Sequence, residues 1–333
     1  MIRLAMLSFW HVHARGYARQ AQEHPATTLV AAWDEEPERG RAEAEKLAIP
    51  FYDNLDDLLA LPDVDGVIVD APTNLHTEVI TAAARAGKHI FTEKVLALTV
   101  RECNEILSEV DKAGVTLMLS LPRLYDGYTL AIREVLEAGH LGQITLVRTR
   151  LSHGGAVGEG WLPPHFYDPE QCGGGALIDL GCHPMYLARL FLGRMPESVV
   201  ASYGHVTGRA VEDNAVAVLR YPDGALGVVE AGFATNHSPF SIEVHGTLGS
   251  LVYSDHDRRL LVRSPAHANG ERWVELPIPE KEPSPFAQWV THIQQGTKPR
   301  ENVELGLDLT RLMEAANHSV AVNAPVRIDS IGD

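Results

Sequence analysis

An amine and an imidazole stand out as groups able to steady charge on oxygen or to move a proton. Lys94 follows Glu93 shortly after the apolar pair Ile90 and Phe91. An ammonium fixed at the end of a buried strand lowers the cost of alkoxide character developing on a substrate oxygen. The plainer reading is a solvated strand-end charge. Asp179 and His183 stand four apart in GGGALIDLGCHPMYLARLFLG, a stretch that reads as one helix entered through a glycine-rich turn. That spacing puts both side chains on one face. A carboxylate beside an imidazole fixes its tautomer and raises its basicity, as a general base for an alcohol proton requires. The same pair also reads as an ordinary helix ion pair. A metal held by His153, His165, Asp179 and His183 is the competing use of these groups; without H-x-x-x-H or C-x-x-C spacing, no metal is expected.

These groups need a scaffold, and residues 67–98 supply one. Val67, Ile68 and Val69 form an all-apolar strand, as a parallel strand covered on both faces requires. The pattern then predicts a helix over 74–86, with Leu75, Val79 and Ala82 on one stripe and Gly87 as its stop, followed by a strand at Ile90 and Phe91. Ligands of open parallel sheets sit beyond the carboxyl ends of the strands, so Pro72, Thr73, Asn74, Glu93 and Lys94 should face one crevice.

Upstream, a first strand over 2–7 runs into Ser8-Phe9-Trp10-His11-Val12-His13-Ala14, where a dinucleotide fold places G-x-G-x-x-G. Ser8, Trp10 and His13 hold the three glycine positions. The following helix can still offer N–H groups to a phosphate. His11 and His13 read equally as contacts to phosphate or substrate and as rings filling vacated space. A second strand over 28–33 ends at Asp34, where such folds place the acid that binds the adenosine ribose. Glu35 and Glu36 follow, and a ribose 2′-phosphate would be repelled by this charge, so NAD is expected over NADP. The three acids also suit the start of a helix over 37–47.

A short strand around Phe51, helices over 54–60 and 100–113 and a strand over 115–119 complete a doubly wound nucleotide-binding domain. From residue 143 strands dominate, over 143–151, 198–203, 215–221, 225–234 and 241–245, with Tyr221-Pro222-Asp223-Gly224 a hairpin turn. Helices over 285–295 and 303–322 and a strand over 326–328 close the chain. The fold class is therefore α/β, with an N-terminal Rossmann domain and a C-terminal α+β domain on an open, mostly antiparallel sheet.

The combination APTNLH, AGKHIFTEK and GGGALIDLGCH resembles the Gfo/Idh/MocA oxidoreductase family, in which an EKP tripeptide ends the fifth strand. Here the tripeptide is Glu93-Lys94-Val95; valine drops the stiffness of proline but can keep the chain extended. The resemblance implies a dinucleotide-binding domain over 1–121 and a substrate-binding and oligomerisation domain over 122–333, with the C-terminal helix able to pack back on the first. It implies that Lys94 contacts both the nicotinamide ribose and the substrate hydroxyl, that His183 is the base, and that Asp179 supports it or contacts the sugar. Cofactor contacts would come from Ser8, Trp10, His11, Val12, Asp34, Pro72, Thr73, Asn74, His76 and Glu93. Arg123 matches a basic position that faces substrate. Trp161, His165 and Tyr167 are candidates to line a sugar-sized pocket, or an ordinary packed loop. The activity implied is NAD-dependent hydride transfer at a secondary hydroxyl or ketone of a sugar, cyclitol or related polyol, by a homodimer or homotetramer. The alternatives are redox-neutral cleavage of a glycosidic bond on the same fold, and a non-catalytic sensor without dinucleotide affinity.

Composition narrows the partners. The 333 residues carry a formal charge of −16, which disfavours nucleic acid and anionic membranes. No apolar run approaches membrane-spanning length. Cys103, Cys172 and Cys182 lack paired spacing, and with no leader expected ahead of the first strand the chain reads as cytoplasmic.

Overall fold

The computed structural model describes residues 1–332; Asp333, the last residue assigned to the second domain, lies outside the described residues. Two compact units emerge, one of Met1–Leu121 with Pro283–Leu307 and one of Pro122–Glu282 with Asp308–Asp333.

In the first unit β1 (Ile2–Leu7), β2 (Thr27–Trp33), β3 (Gly66–Val69), β4 (His89–Thr92) and β5 (Leu117–Leu119) form a wholly parallel sheet in the order β2-β1-β3-β4-β5. Both faces are covered, so Leu4–Leu7 and Val67–Val69 are fully buried. The connecting helices are α1 (Ala14–Glu23), α2 (Pro37–Leu47), α3 (Leu55–Leu59), α4 (His76–Arg85) and α5 (Val100–Ala113). α5 starts in a capping box, with the Thr99 hydroxyl accepting from Glu102 N–H and the Glu102 carboxylate accepting from Thr99 N–H. Gly87, at φ +72°, ends the α4 segment as expected. Two expectations are corrected. Phe51 makes only an isolated bridge to Ala32. The 74–86 helix is a 3₁₀ turn, Thr73–Leu75, running into α4.

The second unit is built on nine strands: β6 (Ile144–Ser152), β7 (Ser198–Gly204), β8 (Asn214–Arg220), β9 (Leu226–Gly232), β10 (Ser241–Gly246), β11 (Ser250–Ser254), β12 (Arg259–Arg263), β13 (Val274–Leu276) and β14 (Val326–Arg327). Their order is β13-β12-β11-β10-β6-β9-β8-β7-β14, antiparallel except where β6 pairs β9. The helices are α6 (Gly127–Glu137), α7 (Pro169–Cys172), α8 (Ala176–Asp179) and α9 (Cys182–Leu192). α9 packs on β6 and β9 with Met185, Tyr186, Leu187 and Ala188 fully buried. On the open face Arg148 donates to Glu230 at 2.7 Å. Sequence periodicity missed α6 and β11–β13.

The single helix expected across the glycine run is instead α8 and α9, broken at Leu180–Gly181. A Cβ on Gly181 would lie 2.6 Å from Leu177 O and 2.9 Å from Ala231 Cβ, so the chain turns where it presses on β9. Late helices close both units. α10 (Pro285–Gln295) puts Trp289 in the first core, its indole N–H donating to Thr116 O at 3.1 Å. α11 (Arg300–Val322) places Asn302 on the β5 edge, accepting from Leu119 N–H at 2.8 Å and donating to Leu119 O at 3.0 Å as a further strand would.

Candidate active site

In the first unit the loop after β1 and the ends of β3 and β4 converge on Glu93. This carboxylate is buried, and Oε1 accepts from the Tyr17 hydroxyl and faces His13 Nδ1 at 2.8 Å, with His11 Nδ1 at 3.6 Å; Oε2 accepts from Lys94 N–H at 3.0 Å. Burial alone would raise its pKa, but the His11 and His13 charges and the His13 hydrogen bond overcome it, holding the group well below the usual carboxylate range. Lys94 is 6% exposed, and the peptide joining it to Val95 is cis. His76 braces this segment from α4: Nδ1 faces Val95 O at 3.0 Å and Leu96 O at 3.1 Å, and Nε2 faces Ala71 O at 3.1 Å. Burial lowers the pKa of its ring, and the three carbonyl oxygens it faces act in the opposite direction.

Around this hub two polar groups end without partners among the described residues. Both Asp70 carboxylate oxygens and the buried Asn74 Oδ1 lack hydrogen bonds. Burial, then the Glu93 charge, pushes the Asp70 carboxyl well up. Thr73 and Asn74 form the 3₁₀ turn beyond β3, led in by Pro72.

The loop 8–13 keeps a glycine-like start without glycine. Ser8 sits at φ +77°, its N–H donating to Trp33 O at 2.7 Å and its Oγ accepting from Trp10 N–H at 3.1 Å. Trp10 is buried, whereas Val12 is exposed. Asp34 departs from the expected open ribose acid. Its carboxylate is fully buried, and its oxygens accept from Phe9 N–H (2.8 Å), Glu36 N–H (2.7 Å), Arg39 Nε (3.0 Å) and Arg39 Nη2 (2.6 Å). Arg39 also donates to Glu35 at 2.5 Å and pairs with Glu36 at 3.4 Å, so one guanidinium clamps all three acids. Sequence reading missed Arg39, although its i+4 spacing from Glu35 was available.

In the second unit His183 opens α9, buried, with Nδ1 3.2 Å from the Tyr186 hydroxyl. That hydroxyl oxygen accepts Arg123 N–H at 3.1 Å, and the Arg123 guanidinium lies 4.1 Å over the Phe240 ring while donating to Tyr128 at 3.1 Å. Asp179 ends α8 rather than sharing a helix with His183, and its charge favours the protonated form of His153 against a larger burial effect that lowers the His153 pKa. His153 stacks on Phe233 at 5.1 Å and meets Trp161, an indole 63% exposed, at 4.7 Å. Tyr167 donates to Gly155 O at 3.2 Å under the Arg209 guanidinium; His165 is half-buried beside Phe166. Glu212, also missed, caps α8 by accepting from Gly175 N–H (2.8 Å) and Leu177 N–H (2.9 Å). Tyr186 and Glu212 carry no local sequence pattern that singles them out.

Residues 11–121 match the family described as "Oxidoreductase family, NAD-binding Rossmann fold", and residues 129–252 match "GFO/IDH/MocA C-terminal domain". The 1,5-anhydro-D-fructose reductase of Ensifer adhaerens is 30% identical over 75% of each chain. The chain belongs to the Gfo/Idh/MocA oxidoreductase family. The myo-inositol 2-dehydrogenase of Thermotoga maritima is 28% identical over 91% of this chain and 92% of its own. The fold is shared with the aldose–aldose oxidoreductase of Caulobacter crescentus, at TM-score 0.82 and 23% identity over 98% of this chain and 99% of that one.

As a Gfo/Idh/MocA oxidoreductase the chain is an NAD(P)-binding enzyme, and its strand ends can be tested for that group. They fit at one end: the orphaned Asn74 Oδ1, in the turn beyond β3, is an acceptor awaiting a donor. At the β2 end the expected ribose acceptor, Asp34, is already saturated. No helix among the described residues is long and apolar enough to cross a membrane.

Proposed function

We propose that this enzyme transfers hydride between NAD and a secondary hydroxyl or ketone of a sugar, cyclitol or related polyol. The observation that carries the reading is Lys94, almost wholly withdrawn from water just past β4, on a backbone that Glu93 holds at Lys94 N–H and His76 at Val95 O. Asn74, Thr73 and Lys94 would hold the dinucleotide, with the loop 8–13 alongside. When bound, the nicotinamide accepts or supplies the hydride. Lys94 steadies negative charge on the substrate oxygen, which is worth most where water is excluded. His183 takes the hydroxyl proton at Nε2. That role requires the hydrogen of the neutral ring to sit on Nδ1, donated to Tyr186 Oη, so Tyr186 and the Arg123 backbone orient the base. Asp179, with His153 and Trp161, contributes to the sugar side of the site.

NAD is favoured over NADP because the β2 end sets three carboxylates against the single Arg39 guanidinium. The names of the reductase and inositol dehydrogenase relatives support the substrate class. Self-association through the open sheet face, which exposes Val216 and Leu226 among its charges, and a cytoplasmic setting complete the reading.

Lys94→Ala and His183→Ala should each lower turnover at least about 10²-fold on a sugar and cyclitol panel while NAD titration by tryptophan fluorescence still saturates for His183→Ala. Near-normal rates in both variants would remove these roles. A wild-type chain giving no fluorescence response to NAD or NADH would favour the sensor, which the loss of the glycines at 8, 10 and 13 motivates.

A further inference from the structure

We propose that His11, His13 and Glu93 form a binding site for a divalent transition-metal cation. Each offers one ligand atom, and the three atoms lie within 4.8 Å of one another. His13 Nδ1 stands 2.8 Å and His11 Nδ1 3.6 Å from Glu93 Oε1. Two imidazoles and a carboxylate at about 2.0–2.2 Å from a metal stand roughly 3.3–3.6 Å apart in a tetrahedral shell. The His11 separation already meets that span. The His13 contact has to open slightly, and its side chain, 52% exposed, is placed to swing.

Glu93 is buried, and the equally buried Asp70 beside it has no hydrogen-bond partner for either oxygen among the described residues. The buried Glu93 carboxylate in a low-dielectric site favours a bound cation. The N-terminus of α1 and the Lys94 ammonium oppose it, so the donor set rather than net charge favours the cation. Mixed nitrogen and oxygen donors suit Zn²⁺, Co²⁺, Fe²⁺ or Mn²⁺ rather than Ca²⁺ or Mg²⁺. The exposed edge at His13 leaves room for water or a ligand oxygen in the remaining positions.

The test uses the full chain, stripped with a chelator and free of dinucleotide, so its outcome is separate from the dehydrogenase reading. Titration with Co²⁺, followed by visible absorbance, should show one ion per chain, displaced by Zn²⁺. His13→Ala, at a half-exposed position, and Glu93→Gln, which keeps the side-chain shape, should each weaken uptake by at least about tenfold, with melting curves reporting the fold. The 16 histidines include a second close pair, His140 and His267, 3.1 Å apart. His140→Ala should leave uptake unchanged. No saturable one-to-one uptake, or uptake equal in wild type and His13→Ala, or uptake lost with His140 instead, would overturn the proposal.

Discussion

Replacing Arg39 by alanine takes two hydrogen bonds from the fully buried Asp34 carboxylate and one from Glu35. The acceptor oxygens of Asp34 keep the N–H groups of Phe9 and Glu36. Breaking a buried charge pair costs about 3–5 kcal/mol. Because the Arg39 side chain is 22% exposed and two N–H bonds survive, the low end applies, about 3 kcal/mol. At about 2–4 °C per kcal/mol, the melting midpoint should fall by about 6–12 °C. Arg39→Lys restores a point charge without the planar fork and should recover only part of the loss. Scanning calorimetry of the three proteins measures this. The same change leaves Asp34, Glu35 and Glu36 without their guanidinium, so the KM for NADP should worsen relative to that for NAD. A midpoint indistinguishable from wild type would refute the reasoning, because it would mean that the clamp on Asp34 carries no load in solution.

Tyr186→Phe keeps the buried ring and removes the hydroxyl beside His183 Nδ1; kcat should fall by about 10-fold to 100-fold with a displaced pH profile and little change in KM. An unchanged pH profile would show that Tyr186 does not orient the base. Asp70→Asn tests linkage. Burial and the Glu93 charge raise the folded carboxyl of Asp70, so its contribution to stability is whole below the unfolded pKa of about 4 and is lost as pH rises through the folded value. The advantage of the Asn variant should therefore grow from about pH 4 upward, and a gain constant with pH would contradict the assignment.

Much of the first unit was legible because its signals are local. The Thr99 and Glu102 pattern marks the start of α5, Gly87 ends α4, and all-apolar runs mark the buried parallel strands. What failed was set by tertiary contact. Phe51 has the composition of a strand, but only one bridge forms, because the chain leaves Ala32 at once for the loop ahead of α3. The glycine run reads as one helix by periodicity, yet Gly181 lies so close to β9 that the helix breaks, which separates Asp179 from His183. The candidate residues at the strand ends follow from topology, since parallel strands aim their carboxyl ends one way. Arg39 on Asp34, Tyr186 on His183 and His76 under Val95 were not legible, because each depends on which side chain fills a given space and no spacing rule encodes that.

The loss of the glycines after β1 is explained by dividing their work among neighbours. The first glycine normally supplies a left-handed backbone; Ser8 adopts φ +77° itself, at a cost of about 1–3 kcal/mol, and offsets it with its own Oγ accepting from Trp10 N–H and its N–H donating to Trp33 O. The second glycine lets backbone approach a phosphate, and here the loop is drawn inward instead, with Trp10 buried and His11 N–H donating to Asp70 O at 3.1 Å. The third permits close packing of the following helix; His13 occupies the cap of α1 and turns its ring to Glu93, the same carboxylate that accepts from Tyr17 of α1 and from Lys94 N–H. Glu93 therefore ties the altered loop to the strand end that carries Lys94. A change in the loop that disturbs His13 or Tyr17 should reach Lys94 through that one side chain, so the loop and the candidate catalytic amine form one polar assembly.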